Sequence, residues 1–335
     1  MRKRAVGVLK KGFVCLIAVA LVANAYFALF CVKNSKVKNA ESLYGEAGEV
    51  AVLSLWQIDS FEGGFGSRRQ YLLGVAYGFE KKRSQVLVMV ESMTQEGAKE
   101  NFEKGIYPDM LSFGTGITGF NPRRLQTKGN TFGGRVNGED YAVCWCEGGY
   151  VLFENENASG DTLAVGTDKN DFPFVALKEE GLYFPHYEKY SKKDAFYAFY
   201  KGKCKYLLGT QRDVFRLDGL PVTYRATPLK NFSDLRQYIC VTADNDDKSA
   251  LAREFIEYLA SEENGERLKK IGMFPPNGNV VYNNEILNSM QDKKPVTLSA
   301  FLGDKAFGTI KDEQENYYNG EENAVIKLKK ILLDS

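Results

Sequence analysis

The stretch Val50–Ser92, VAVLSLWQIDSFEGGFGSRRQYLLGVAYGFEKKRSQVLVMVES, sets the architecture of the chain. Ala51–Ile58 (AVLSLWQI) is an apolar run of strand length, and Asp59–Ser67 (DSFEGGFGS) is a Gly-rich turn. From Arg68 to Arg83, apolar residues recur at helical spacing at Leu72, Val75, Ala76 and Phe79. Ser84 and Gln85 interrupt that spacing, and Val86–Val90 (VLVMV) is a second buried-type strand. Strand, helix, strand at this length predicts a βαβ unit with two parallel, neighbouring strands. Continuous apolar strands fit a sheet covered on both faces. Ligands of such sheets bind beyond the carboxyl ends of the strands, which puts Trp56, Asp59 and Glu62 at a binding edge.

The alternation continues. Thr94–Ile106 reads as a helix capped by Thr94, Pro108-Asp109 as a turn, and Met110–Gly114 as a third strand, which predicts an open parallel sheet. The loop Gly114–Arg124 then lies on the same edge as Trp56 and Asp59, with Ser112 and Thr115 at the strand's end. Tyr141–Asn155 (YAVCWCEGGYVLFEN) is apolar but broken by Gly148-Gly149: either one strand bent by glycine or a strand crossing between two lobes. Asn155–Asp171 is polar and turn-rich. Asp194–Leu217 reads as helix, strand, helix, the last capped by Thr210 with Gln211 and Arg212 at its first turn. Pro221–Lys230 is extended and Arg236–Ala243 a strand. Ser249–Ala260 is an amphipathic helix, followed by a short one that ends at Gly272 and Pro275-Pro276. Asn284–Gln291 and Asn323–Leu333 read as helices, the latter packed by Ile326, Ile331 and Leu332.

Composition narrows the function. The 335 residues carry 44 basic and 43 acidic side chains, a net charge of +1, so no basic excess argues for a nucleic-acid partner. One histidine, His186, leaves no multi-histidine metal site and reads as a loop residue. Cys144 and Cys146 lie two apart on one strand face, without the C-x-x-C spacing of a redox or zinc site; with Cys204 and Cys240 they read as small core residues, a disulfide among them being the alternative. At the amino terminus, Arg2, Lys3, Arg4, Lys10 and Lys11 precede the uncharged run Gly12–Val32, which as a helix spans about 30 Å. The positive flank predicts export of the remainder. Ala23-Asn24-Ala25 has the form of a signal-peptidase site, but the run continues through Phe27, Leu29 and Phe30, which favours an uncleaved anchor. Residues 33–48 read as a linker.

Taken together, LWQIDSFEGGFGSR, YPDMLSFGTG, YAVCWCEGGYVLFEN, AFYKGKCKYLLGTQRDVFRL and the helix pair Arg253–Pro276 resemble, in order, the extracellular solute-binding proteins of bacterial ABC importers, in the sugar-binding group that includes maltose-binding protein. The resemblance implies a two-lobed α/β periplasmic-binding-protein-like fold with a hinge and an interlobe cleft, preceded here by one transmembrane helix. It implies lobe 1 at 49–146 and 224–279, and lobe 2 at 147–223 with the carboxyl-terminal helices of 280–335. It further implies a monomer without catalytic residues, cofactor or metal, holding a carbohydrate for ABC permease subunits in the membrane. Lobe 2 looks short between Asn155 and Asp194, which predicts a reduced cleft wall.

Topology and resemblance together give the candidate ligand-binding residues. Trp56 and Trp145 are rings on which a sugar face would stack; Asp59, Glu62, Ser112, Thr115, Tyr150, Gln211 and Arg212 are partners for hydroxyls. Arg68 reads as a structural partner of a carboxylate, and Asp213 and Arg216 as a local ion pair. Two enzyme readings compete. Gly64-x-Gly66-x-x-Arg69 approximates a dinucleotide fingerprint, but Arg69 replaces the third glycine and export removes the domain from nicotinamide cofactors. Asp59 and Glu62 as a glycosidase pair would need one carboxyl with a raised pKa. A third reading is a receptor or scaffold that senses a ligand without transporting it.

Overall fold

The computed structural model describes residues 50–126, 129–291 and 295–334. The segment read as anchor and linker lies outside them. No helix among the described residues is long and apolar enough to cross a membrane. Val52–Phe79 and Val88 onward form one compact unit; residues 80–87 with Val50 and Ala51 form a small one. Within the small unit, Ala51 N–H donates to the Gln85 carbonyl at 2.9 Å.

The opening stretch folds in the expected order: β1 (Ala51–Ile58), α1 (Arg68–Lys82), β2 (Val86–Met93), α2 (Gln95–Glu103), β3 (Met110–Phe113). Thr94 caps α2, its hydroxyl accepting Gly97 N–H at 3.0 Å, a contact of about 1 kcal/mol. A hairpin of β4 (Arg135–Val136) and β5 (Glu139–Asp140) precedes β6 (Ala142–Glu147), and β12 (Arg236–Val241) completes the first sheet in the order β2-β1-β3-β12-β6. β1 and β3 are parallel, with Trp56 opposite Leu111 and Gln57 opposite Ser112.

The sheet is mixed, however, and not purely parallel: β12 runs antiparallel to both β3 and β6. The cause is the route of the chain. It leaves lobe 1 at the carboxyl end of β6, builds lobe 2, and re-enters at that same edge, so the returning strand must run backwards. Gly148-Gly149 is therefore a crossing between lobes, with β6 in the first sheet and β7 (Tyr150–Asn155) in the second.

The second sheet is ordered β11-β7-β10-β8-β9, from β8 (Leu163–Gly166), β9 (Tyr187–Tyr190), β10 (Tyr206–Thr210) and β11 (Tyr224–Pro228). β8, β9 and β10 are parallel neighbours; β7 is antiparallel to β10 and β11. The sequence reading begins the return to lobe 1 at Tyr224, but β11 pairs with β7, so the chain crosses back only after Pro228. The stretch between Asn155 and Asp194, read as a reduced wall, supplies β8, α3 (Pro173–Glu179) and β9. β8 is fully buried yet only four residues long, too short to show a period. β9, YEKY, is a charged edge strand.

Each lobe has its own core. Trp56, Ile58, Phe102, Leu111, Phe113 and Tyr238 cluster in lobe 1; Val151, Phe153, Phe199, Leu207 and Val214 cluster in lobe 2. Helix α4 (Lys192–Tyr200) covers β8 and β10, and α5 (Gln211–Leu217) follows β10 through a capping box between Thr210 and Asp213. In lobe 1, α6 (Asp246–Leu259) covers β12, and α7 (Glu262–Arg267) runs into a 3-10 turn that stops at Gly272 with φ 68°. That left-handed conformation is one glycine adopts at no steric cost. Past α8 (Glu285–Ser289), α9 (Asp304–Asn319) packs on α3 and α10 (Glu322–Leu333). Helix α9 was not expected, since only Ile310, Tyr317 and Tyr318 of it are buried. On α10 the buried residues are Ala324, Leu328 and Leu332, whereas Ile326 is exposed.

Cys144, Cys146, Cys204 and Cys240 are free thiols, all buried. Burial pushes the Cys144 thiol up to about 12 and Cys146 well above its ordinary value, which leaves them as unreactive core groups. His186 is an exposed loop residue, 3.8 Å from Asp161 Oδ2.

Candidate functional site

The two crossings between lobes lie side by side. Gly148 N–H donates to the Leu235 carbonyl at 2.7 Å, and Gly149 N–H to Gln211 Oε1 at 3.0 Å. A Cβ on Gly148 would stand 2.7 Å from Gln211 Nε2, so a larger residue there would displace the end of the Gln211 side chain. Behind the crossings sits a buried polar knot. Tyr150 donates its hydroxyl to Asp234 Oδ1 at 2.8 Å, and Phe172 N–H donates to Asp234 Oδ2 at 2.8 Å. Next to it, buried Asp171 pairs with Lys192 at the start of α4. Burial, with the Asp171 charge adding to it, pushes the Asp234 carboxyl up to about 7.

In front of the crossings, the loop after β1 meets lobe 2. Glu62 Oε1 lies 3.1 Å from Arg212 Nη1 and 2.8 Å from Arg216 Nη2, both on α5. The Glu62 side chain is 9% exposed. Arg216 Nη1 also holds Asp213 Oδ1 at 3.0 Å, and burial raises the Asp213 carboxyl. Phe65 meets Phe215 edge-on at 4.7 Å. The local Asp213–Arg216 pair of the sequence reading is thus part of an ionic seal between lobes. The loop is pinned on its own side too, with Gly64 N–H on Met273 Sδ at 3.1 Å and Gly66 N–H on the Ile271 carbonyl at 3.4 Å. Those amides are what a dinucleotide phosphate would require, and they are already engaged.

Beside this seal an open cleft of about 450 Å³ remains between the lobes. Lobe 1 contributes Asp59 and Ser60 after β1, and Ser92 to Glu96 from the end of β2 to the first turn of α2. Lobe 2 contributes Asp168, Lys169 and Asn170, just past β8. Asn170 Nδ2 donates to Gln95 Oε1 across the gap. Asp59 is held from behind by Arg68, 2.7 Å from its Nε. Arg68 is 4% exposed and also reaches Gln237 Oε1 at 3.2 Å and the Phe61 carbonyl. The volume falls within the range of small-molecule sites, about 300–1,000 Å³.

Of the nine predicted site residues, Asp59 lines this cleft. Glu62 and Arg212 meet each other in the seal. Gln211, fully buried, holds the first crossing at Gly149 and reaches Met273 Sδ, and Tyr150 holds Asp234. Ser112, fully buried, accepts Trp145 Nε1 at 3.0 Å and Gln237 Nε2 at 3.3 Å. Thr115 is buried in the loop after β3. Trp56 is 7% exposed and stacks with Phe102 in the lobe 1 core. Trp145 stacks on Tyr71 at 5.5 Å and borders a cavity of about 330 Å³ within lobe 1, with Leu259 and Pro275. Neither tryptophan lies on the interlobe cleft. The sequence reading missed Ser92 to Glu96, although the carboxyl-end rule that placed Asp59 applies equally to β2. It missed Asp168 to Asn170 because β8 itself was not recognised. No group of three or more His, Cys, Asp or Glu among the described residues is arranged to hold a metal.

Two α/β lobes joined by adjacent crossings, each built on a mixed sheet, make a two-lobed fold like that of periplasmic binding proteins. Among solved structures, the chain is similar to the sugar-binding protein MalE of Xanthomonas citri, at 12% identity over 85% of this chain and 96% of that one, with a TM-score of 0.58. It is similar as well to the GacH receptor of Streptomyces glaucescens, solved unliganded and with acarbose, at 15% identity over 85% and 99%, TM-score 0.59. Maltose-bound MalE3 of T. maritima matches at 12% identity over 85% and 99%, TM-score 0.58. No protein-family model and no curated protein sequence matches the chain.

Proposed function

We propose that this chain is the extracytoplasmic solute-binding component of an ABC importer, tethered by its apolar amino-terminal segment, which takes a carbohydrate into the interlobe cleft and presents it to membrane permease subunits. The observation that carries this reading is the open side of the cleft, a polar recess of about 450 Å³ formed by both lobes at the ends of β1, β2 and β8. Hydroxyl, amide and carboxylate groups of that kind match the hydrogen-bonding edges of a sugar. The fold neighbours are described as sugar- or maltodextrin-binding, which supports the same solute class. A solute bound by both lobes raises stability by mass action, by about 2.7 kcal/mol at a hundredfold excess over its dissociation constant. A thermal-shift and calorimetry panel of neutral and charged sugars tests this; if none of them shifts the melting temperature, the carbohydrate reading fails.

One observation favours a second reading, a sensing receptor or scaffold without transport. The Glu62 seal joins the lobes through the chain's own charges, so closure has a driving force independent of solute. Small-angle scattering with and without the best sugar separates the two. A transport component narrows on binding, whereas a scaffold held shut shows the same dimensions in both states.

A further inference from the structure

Helix α1 and the end of α7 enclose a groove of about 290 Å³ on lobe 1, which shares no residue with the interlobe cleft. Its floor is apolar: Tyr71 and Val75 from α1, and Ile271 from the 3-10 turn. The walls are fixed to each other. Tyr71 donates its hydroxyl to the Asn264 carbonyl at 2.7 Å, and Arg267 Nη1 donates to Asn264 Oδ1 at 3.1 Å. Gly66 N–H reaches the Ile271 carbonyl at 3.4 Å.

Two features of this groove serve no purpose inside the chain. One is Gly74, the seventh residue of α1, which is exposed and lines the groove. In a helix interior, glycine loses more conformational freedom than alanine and weakens the helix. A Cβ on Gly74 would meet no atom within 4 Å, so packing does not exclude a side chain there. Gly78, one turn on, differs: its Cβ would stand 2.6 Å from the Tyr258 hydroxyl. Of the two glycines in α1, Gly74 is thus the one that no neighbour demands, and its bare backbone leaves the groove open.

The other feature is charge. Arg267 and Lys270 line the groove and no acid does. Neither forms an ion pair with a described residue, nor do exposed Lys269 beside them and exposed Arg69 in the first turn of α1. The acids of α7 turn elsewhere, with Glu262 and Glu266 lining the separate cavity near Trp145. The whole chain carries only +1, so this excess is local.

An apolar floor under unpaired cations discriminates between occupants. A small anion gains nothing from Tyr71, Val75 and Ile271. A lipid surface is flat and does not reach a recessed floor. The volume lies just below the range of small-molecule sites, about 300–1,000 Å³, but admits a bulky apolar side chain. We propose that this groove docks an acidic segment of a partner protein, which seats one apolar side chain on Val75 and Ile271 and sets its carboxylates against Arg267 and Lys270. Gly66 belongs to the loop that carries Glu62, so the partner touches the segment that seals the lobes. The identity of the solute in the cleft does not enter.

Fluorescence anisotropy of the full chain with a short labelled peptide, aspartates and glutamates around a central leucine, tests this. Binding should be lost in Gly74→Leu, whose side chain fills the groove, and should weaken about fivefold in Lys270→Glu. Changing the peptide's acids to amides, or its leucine to serine, should each weaken binding; equal binding of either control overturns the inference. So does the absence of peptide binding, or binding unchanged in Gly74→Leu. Binding of phosphatidylserine vesicles in place of the peptide, lost in the same variants, assigns the groove to a membrane and also overturns it. Gly74→Ala should raise the melting temperature by about 2 °C, because alanine favours the helix. A lower melting temperature would show that the fold itself demands the glycine, against the inference.

Discussion

Two parts of the interlobe boundary use the same residue types to opposite ends. On the sealed side, the partners of Glu62 are Arg212 and Arg216, which belong to the other lobe. On the open side, Asp59 is held by Arg68, and Asp168 by the Lys192 backbone, each within its own lobe. A carboxylate paired across the gap closes it. A carboxylate paired from behind is oriented within its own lobe and leaves the boundary open. What separates the sealed side from the open side is the origin of the partner and not the kind of charge.

The largest effect should come from the knot behind both sides. The Asp234 carboxyl, ordinarily at 3.8, is raised to about 7 by burial and by Asp171. It binds its proton more tightly folded than unfolded. The stability it contributes is therefore complete below about pH 4 and is lost as the pH rises through about 7. Denaturant midpoints at about pH 5 and about pH 8 should show this loss as a few kcal/mol in the parent chain and a flatter profile in Asp234→Asn. An unchanged slope would mean that the knot does not titrate in this range.

Breaking the seal comes next. Glu62→Ala leaves two guanidinium groups facing a partly buried gap and should cost about 2 kcal/mol, below the fully buried value because both arginines are partly exposed. The radius of gyration should rise with it; an unchanged radius would show that the lobes stay together without this charge. The two arginines should differ. Arg216 also neutralises buried Asp213, whereas the Arg212 side chain is 37% exposed. Arg216→Ala should therefore cost clearly more than Arg212→Ala, which should stay below about 1 kcal/mol. Equal losses in chemical denaturation would contradict the network. Smallest is the open side: Asn170→Ala removes one hydrogen bond to Gln95 and should cost about 1 kcal/mol or less. A larger loss would make the open side a second seal.

Much of lobe 1 was legible because β1 and β2 are largely apolar strands of eight residues, α1 carries a helical spacing, β3 follows the turn signal Pro108-Asp109, and caps such as Thr94 and Thr210 act within one turn. The breaker Gly148-Gly149 marked the first crossing between lobes. The direction of β12 was not legible, since a strand's sequence is the same read beside a parallel or an antiparallel neighbour. Nor was β8, four apolar residues among polar ones. The cleft lining divided in the same way. The place of Asp59 at its edge followed from the rule for strand ends, but Trp56 and Trp145 looked like ligand platforms when the strand pleat turns both into lobe 1.

The sequence by itself determined that there would be alternating strands and helices, where they are capped, and that polar loops gather at the carboxyl ends of the first strands. Those are short-range matters of periodicity, turn chemistry and charge. Only the tertiary structure decided that Glu62 would meet Arg216, 154 residues away, while Asp59 would meet Arg68 beside it. A carboxylate carries the same charge whichever lobe supplies its partner, and only the packing of the lobes brings one partner within 3 Å and leaves the other side open.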